Sequence, residues 1–331
     1  MIQATAGRIS PSHLPQQAKA DRLRASGVAA CWILLAAAFP SAVAAQTTLA
    51  WKLEPKQQFF VDTRVERTQN SELVRKQTSK ERRQQQREKR DDELKQRTIV
   101  KVDVLSKSPT GDVKLKQTIV HVENRDNEEA ESLRERLIGA EFLVTYDKNM
   151  EITKLEGRDK FVESLASGNP AAERAMGAML TDDVVKAIVG QAFGMLPGKP
   201  VNAEDEWSRT VVQGLGSLGE LHVKRDFTYV GTNSEAGKTY HDVTFEGDGE
   251  WKQSSKPGAD SPLKITKADV KFVKWEGFLQ FDAKAGRLFQ MEMESEIHSD
   301  LTLKLQGAEA DIHVVTKETT SVRVTRFDPS K

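Results

Sequence analysis

The residues able to carry chemistry are few and poorly spaced for it. Past residue 45 the histidines are His121, His222, His241, His298 and His313. No two stand at the H-E-x-x-H spacing that sets a pair of imidazoles around zinc on one helix face. Each falls in a run of alternating polar and apolar residues and reads as a solvent-facing strand residue. The chain has neither a G-x-S-x-G nucleophile elbow nor a G-x-x-x-x-G-K-[ST] phosphate loop. Gly214-Leu-Gly216-Ser-Leu-Gly219 only mimics a dinucleotide fingerprint. That fingerprint opens a helix, whereas the sequel ELHVKRDFTYV alternates as a strand does, so the glycines read as a flexible connection between strands. Glu204-Asp205-Glu206 lacks the spaced carboxylates of a calcium loop. Asp182-Asp183 suits a helix first turn, where negative charge opposes the macrodipole. Asp248-Gly249 reads as a turn. These residues give no reason to expect an enzyme, a cofactor or a metal; a hydrolase without a recognisable motif is the remaining catalytic alternative.

Charge narrows the partners. Lys plus Arg number 49 and so do Asp plus Glu, so the formal net charge is zero. That balance removes the electrostatic footprint of a nucleic-acid binder. Arg75–Arg97 is almost free of apolar residues and holds about twice as many basic as acidic ones. It reads as a solvated excursion, either a long hairpin tip or an exposed polar helix. The alternative is a basic contact for an acidic partner, although no aromatic residue interleaves to stack on bases.

The N-terminus speaks to compartment. The apolar run Val28–Phe39 is broken by Pro40-Ser41. Ala42-Val43-Ala44 or Val43-Ala44-Ala45 then supplies the small residues a signal peptidase needs. The run falls short of the about 20 residues that span a bilayer. A signal peptide is therefore expected over 1–45, with export to the periplasm, envelope or exterior and no transmembrane helix after cleavage. The lone cysteine, Cys31, sits at the start of that run, not after it as lipidation requires. Cleavage would remove it, leaving no disulfide or thiol chemistry.

The elements that would position any site are mostly strands. Alternation runs through Phe59–Val65, Ile99–Leu105, Val113–His121, Phe142–Tyr146 and Ile152–Leu155. From 158 to 196 the period becomes helical, with Asn169-Pro170 and Thr181-Asp-Asp-Val as helix starts. After Trp207 the chain alternates again to its end, in runs that include Ile265–Trp275, Phe278–Phe281, Leu288–Leu305, Ile312–Thr319 and Ser321–Phe327. In 288–305 the residues Phe289, Met291, Met293, Ile297, Leu301, Leu303 and Leu305 share one parity. Glu292, Glu294, Glu296 and His298 share the other. A sheet with one wet face is antiparallel and needs cover on its dry face. The expected fold is α+β: a mainly antiparallel, strongly curved sheet, half-barrel or open barrel, covered by a central helical segment. Its parts would be an N-terminal β half over 46–157, helices over 158–196, a joint over 197–206 and a C-terminal β half over 207–331, forming one unit. Met176, Met179 and Met195 of the helical segment, with Phe289, Met291 and Met293 of the sheet, would line an apolar cleft. Methionine adapts to variable apolar shapes, so a lipid or acyl chain is the ligand such a cleft would suit.

Phe193–Trp207 reads FGMLPGKPVNAEDEW. Pro197 and Pro200 stop the last helix and hold the chain extended, and Trp207 opens the next strand. Phe193, Leu196-Pro197, Lys199-Pro200-Val201, Asp205 and Trp207 resemble a signature of an uncharacterised family of exported bacterial envelope proteins. Two further pieces match: Leu49-Ala-Trp51-Lys-Leu53-Glu-Pro55, and Phe142–Gly157, where the family usually carries glycine in place of Met150. The charged segment 75–97 departs from the pattern. The resemblance brings no reaction. The layout of sheet, helices and sheet is similar to the periplasmic lipoprotein-carrier half-barrel, a likeness of fold that does not fix function. The leading expectation is a non-enzymatic envelope protein that binds lipid or a lipoprotein acyl chain. The alternative is a structural or protein-interaction component of the envelope.

Overall fold

The structure is a computed structural model that describes residues 46–75, 86–124, 134–214, 219–235, 237–252, 263–305 and 308–331. The signal-peptide expectation for 1–45 lies outside them. Alternating sequence becomes long strands: β1 Thr47–Thr48, β2 Gln58–Arg75, β3 Gln86–Lys107, β4 Val113–Asn124, β5 Glu141–Tyr146 and β6 Ile152–Glu156. Three helices follow among the described residues: α1 Arg158–Ala166, α2 Pro170–Met179 and α3 Asp182–Gly190. Then come β7 Pro200–Val201, β8 Glu206–Gly214, β9 Glu220–Glu235, β10 Lys238–Lys252, β11 Leu263–Asp282, β12 Arg287–Leu305 and β13 Ala308–Thr325.

Eleven strands form one antiparallel sheet in the order β6-β5-β4-β3-β2-β13-β12-β11-β10-β9-β8, and β1 pairs separately with β7. The order is that of two meanders. The first runs outward from β2 to β6, and the second returns from β8 to β13. They meet where β13 lies against β2, with Phe60 opposite Thr325. The sheet does not close into a barrel: β6 and β8 are its edges, and the helices lie between those strands in the chain.

One face carries the core. Phe59, Val61, Val102, Leu115, Val144, Phe227, Phe245, Leu279, Met291 and Val322 belong to one buried cluster. α3 and the turn after it add Val185, Val189, Ala192, Phe193, Met195 and Leu196 to that cluster. Local chemistry sets the helix ends. Asn169 Oδ1 accepts from the Ala171 and Ala172 amides at 2.9 and 3.2 Å, and Thr181 Oγ1 accepts from Val184 N at 3.4 Å. At the far end of α3 the Val189 carbonyl has no helical partner. Tyr146 Oη and Gln117 Nε2 both donate to it, each at 3.1 Å.

The structure revises several expectations. Residues 86–97 of the charged segment are strand, paired with 64–75 across the β2–β3 hairpin. The hairpin alternative therefore holds for them and the helix does not; 76–85 lie outside the described residues. Ile265–Trp275 and Phe278–Phe281 are one strand because Gly277 continues the ladder opposite Met293 and Phe245. Ile312–Thr319 and Ser321–Phe327 likewise merge into β13, which ends at Thr325. Asp248-Gly249 is not a turn but lies inside β10, opposite Lys224 and Val223. Met150 adopts φ 62°, in the left-handed region that glycine enters without strain. That is the position at which the resembled family carries glycine.

Candidate functional site

The proline-bracketed joint is built from backbone pairing and one tryptophan. Pro200-Val201 pairs with Thr47-Thr48, so Pro200 holds a short strand. The prolines do not stop the last helix as expected: α3 ends at Gly190, and turns fill the interval before Pro197. Trp207 Nε1 donates to the Met195 carbonyl at 3.0 Å, and its ring stacks on Phe227 with centroids 5.4 Å apart. Pro197 lies between the core residue Leu196 and Gly198, which takes φ 70°.

From Trp207 the inner face of the second meander can be read in rows, because residues two apart share a face. Trp207, Phe227, Phe245, Gly277 and Met293 form one row. The next is Arg209, Arg225, Gly247, Trp275 and Ser295: Arg209 pairs with Arg225, Arg225 with Gly247, and Trp275 with Ser295. Beyond it come Val211, Val223, Gly249, Phe272 and Ile297. A bulge between Phe272 and Lys274 brings Phe272 and Trp275 to the same face, where their rings stack at 5.2 Å. The two glycines leave room for those rings. A Cβ on Gly247 would stand 3.0 Å from Trp275, and one on Gly249 2.5 Å from Phe272.

The arginine row is chemically unusual. Arg209 donates from Nη2 to the Leu196 carbonyl at 2.8 Å, and its Nη1 lies 3.6 Å from Glu151. Its Nε is buried without a partner. Arg225 is half-buried as a whole, while its Nε is fully buried and unpartnered. Among the described residues no carboxylate pairs with it. Its guanidinium sits 5.6 Å from the Trp275 ring centroid, in cation–π contact. Burial pushes the Arg225 guanidinium below its ordinary value, yet arginine starts so high that it stays charged. Trp275 Nε1 is also buried and unpartnered. Sequence reasoning passed over this row. Its trace is an arginine on the apolar parity of two neighbouring strands, W-x-R-x-V at Trp207–Val211 and V-x-R-x-F at Val223–Phe227.

Past that row the strands continue, and apolar residues recur on the inner face, with Ser299 and Thr316 among them, without joining the core cluster. Phe272, Ile297, Leu301, Leu303, Ile312 and Val314 are half-buried. The expected methionine lining is distributed differently. Met195, Met291 and Met293 are plain core, Met291 only 2 % exposed. Met176 and Met179 lie outside that cluster on α2, which buries no residue, and Met179 is 64 % exposed. Phe289 is the extra residue of a bulge, since Gln280 pairs with Gln290 while Phe281 pairs with Leu288. Leu288 therefore takes the inward place, and Phe289 stacks instead on Tyr240 at 4.4 Å with Arg323 over its ring.

Other concavities offer less. A polar hollow of about 390 Å³ lies among Glu66, Lys274, Glu294, Glu296, Lys317 and Thr319. Its lysines are already ion-paired, Lys274 with Glu294 at 2.6 Å and Lys317 with Glu296 at 3.1 Å. A second hollow, of about 80 Å³, lies between Trp51, Met150, Leu196 and Gly198. Among the described residues no group of three His, Cys, Asp or Glu side chains is placed to hold a metal. No helix among them is long and apolar enough to cross a membrane.

No family model matches the sequence, and no curated protein matches it. Among solved structures, an outer membrane channel from Pseudomonas putida F1 aligns with 83 % of this chain and 97 % of its own, at 8 % identity and a TM-score of 0.16. That score is too low to establish a common fold. What these observations establish is an eleven-stranded antiparallel sheet with few helices, open at β6 and β8.

Proposed function

We propose that this protein is an exported, non-enzymatic binding protein of the cell envelope. It would hold the apolar chain of a lipid or acylated lipoprotein against the inner face of its sheet, with the helical segment closing one end. The observation behind this reading is the apolar surface beyond the core: Val211, Phe272, Ile297, Leu301 and Val314 continue the core face on strands that outrun the core cluster. Half-buried aliphatic and aromatic residues on a preformed face suit an alkyl chain, since each methylene removed from water contributes about 0.8 kcal/mol. That end is the core itself, where residues of the helical segment join Trp207, Phe227 and Phe245 and already fill the space.

Two measurements test it. Organic extraction of protein purified from its native envelope, followed by mass spectrometry, should yield stoichiometric lipid. Leu301→Glu should abolish binding of an apolar fluorescent probe while leaving the cooperative unfolding transition in place. Unchanged probe binding in that variant, together with a lipid-free extract, would remove the proposal.

A further inference from the structure

We propose that Arg225, with Arg209 and the Trp275 indole beside it, binds the oxyanion head of an amphiphile whose chain runs along the apolar inner face. The cargo is then an anionic amphiphile with a carboxylate or phosphate head. This rests on the apolar-chain reading above and adds a head-group site to it.

Among the described residues, the buried N–H donors with no acceptor include Arg209 Nε, Arg225 Nε and Trp275 Nε1. They are neighbours in one row. Arg209 stands opposite Arg225, Arg225 opposite Gly247, and the space above Gly247 is where the Trp275 ring lies. Like charges directly opposite on adjacent strands repel, and a buried guanidinium without a counter-ion is costly. The two arginines are not equivalent. Arg209 is offset by the Leu196 carbonyl and Glu151, whereas Arg225 has only the aromatic ring. An oxyanion accepting from the guanidinium and the indole would supply the missing charge and the missing acceptors together. The position also fits. The row lies where the closed core of Trp207, Phe227 and Phe245 gives way to the half-buried face of Val211, Phe272 and Ile297. A head held at this row would direct its chain away from the core.

The test measures binding of dodecyl phosphate, dodecyl maltoside and inorganic phosphate to the purified protein by calorimetry, below the micellar range. The wild-type protein should bind dodecyl phosphate at least about tenfold more tightly than dodecyl maltoside, the factor expected for a charge-assisted hydrogen bond. Arg225→Met should bring the two ligands to parity and should fold, because it replaces an unpaired buried cation with an apolar chain of similar length. Arg225→Lys is the second arm: it keeps the charge but loses the planar fork, and should weaken dodecyl phosphate binding several-fold. No head-group preference in the wild type, a preference that survives Arg225→Met, or unchanged affinity in Arg225→Lys would each overturn the proposal. If neither dodecyl compound binds but inorganic phosphate binds in an Arg225-dependent way, the apolar-chain reading fails and the oxyanion site stands.

Discussion

Removing the Tyr146 hydroxyl probes how the helical segment is tied to the sheet. Tyr146 Oη and Gln117 Nε2 both donate to the Val189 carbonyl, and Gln117 Nε2 also lies 3.1 Å from Tyr146 Oη. The carbonyl belongs to the last turn of α3, whose acceptors have no partner within the helix. Tyr146 is fully buried. Burial pushes its hydroxyl far above the ordinary tyrosine value, with the Gln117 hydrogen bond opposing in part, so it remains a donor at any working pH. Tyr146→Phe keeps the ring and removes two hydrogen bonds, one to the Val189 carbonyl and one from Gln117, which costs about 2 kcal/mol. Gln117→Leu should cost a similar amount, because Tyr146 still serves the carbonyl. The double variant leaves that carbonyl buried with no donor, a penalty of about 1–3 kcal/mol, offset by about 1 kcal/mol because the Tyr146–Gln117 bond is lost in both single variants and only once in the double. Urea unfolding followed by far-UV circular dichroism, with linear extrapolation, gives all four stabilities. A double variant that costs at least the sum of the two single losses is the expected result. A double variant that costs about 1 kcal/mol less than that sum, the worth of the Tyr146–Gln117 bond alone, would mean that the two side chains do not share the acceptor, and would refute this account of the joint.

Other outcomes follow from the same structure. Met291→Glu buries a carboxylate between Leu279 and Val322; it should abolish the cooperative transition or lower stability by about 3–5 kcal/mol, in contrast to Leu301→Glu. Asp62 receives two hydrogen bonds from Arg97, at 3.0 and 2.8 Å, while Arg97 also holds the Pro329 carbonyl at 3.0 Å. Asp62→Ala should therefore cost about 2 kcal/mol and speed amide exchange near the C-terminus, measured by hydrogen–deuterium exchange. His241 lies 2.8 Å from Tyr229 Oη, and burial lowers its proton affinity despite Asp242 and Asp282 nearby. Below about pH 6.5 the unfolded chain takes up a proton that folded His241 resists, so stability falls as pH drops through that point. In His241→Gln the fall between about pH 7 and pH 5 should be shallower, as read from urea midpoints.

Alternation made most of the strands legible, because a half-buried antiparallel strand must write its two faces into the sequence. It misled where the ladder slips. The bulge at Phe289 inverts the parity expected from Met291 and Met293, and no residue type in L-F-Q-M announces it. Glycine was read as punctuation at Gly249 and Gly277, yet both serve the strand interior by leaving room for Phe272 and Phe245. The helix starts at Asn169 and Thr181 were visible because capping is local. The site was hidden for the opposite reason. Arg209, Arg225 and Trp275 lie on three strands, and only pairing brings them together. An arginine on an apolar parity is a weak sign alone; two opposite each other, each with a buried unpartnered nitrogen, are a clear one.

The meeting of β2 and β13 has a kinetic consequence. Phe60 must find Thr325, so the central seam of the sheet joins the first long strand to the last. Local hairpins can form early in each meander, but this seam closes only after nearly the whole chain is available, and non-local pairing of this kind is slow. Until then β2 presents an unpaired edge to whatever strand arrives first, including one from another chain. During synthesis the first meander would wait in that condition. Folding yield, more than equilibrium stability, should therefore be the property most sensitive to changes in β13.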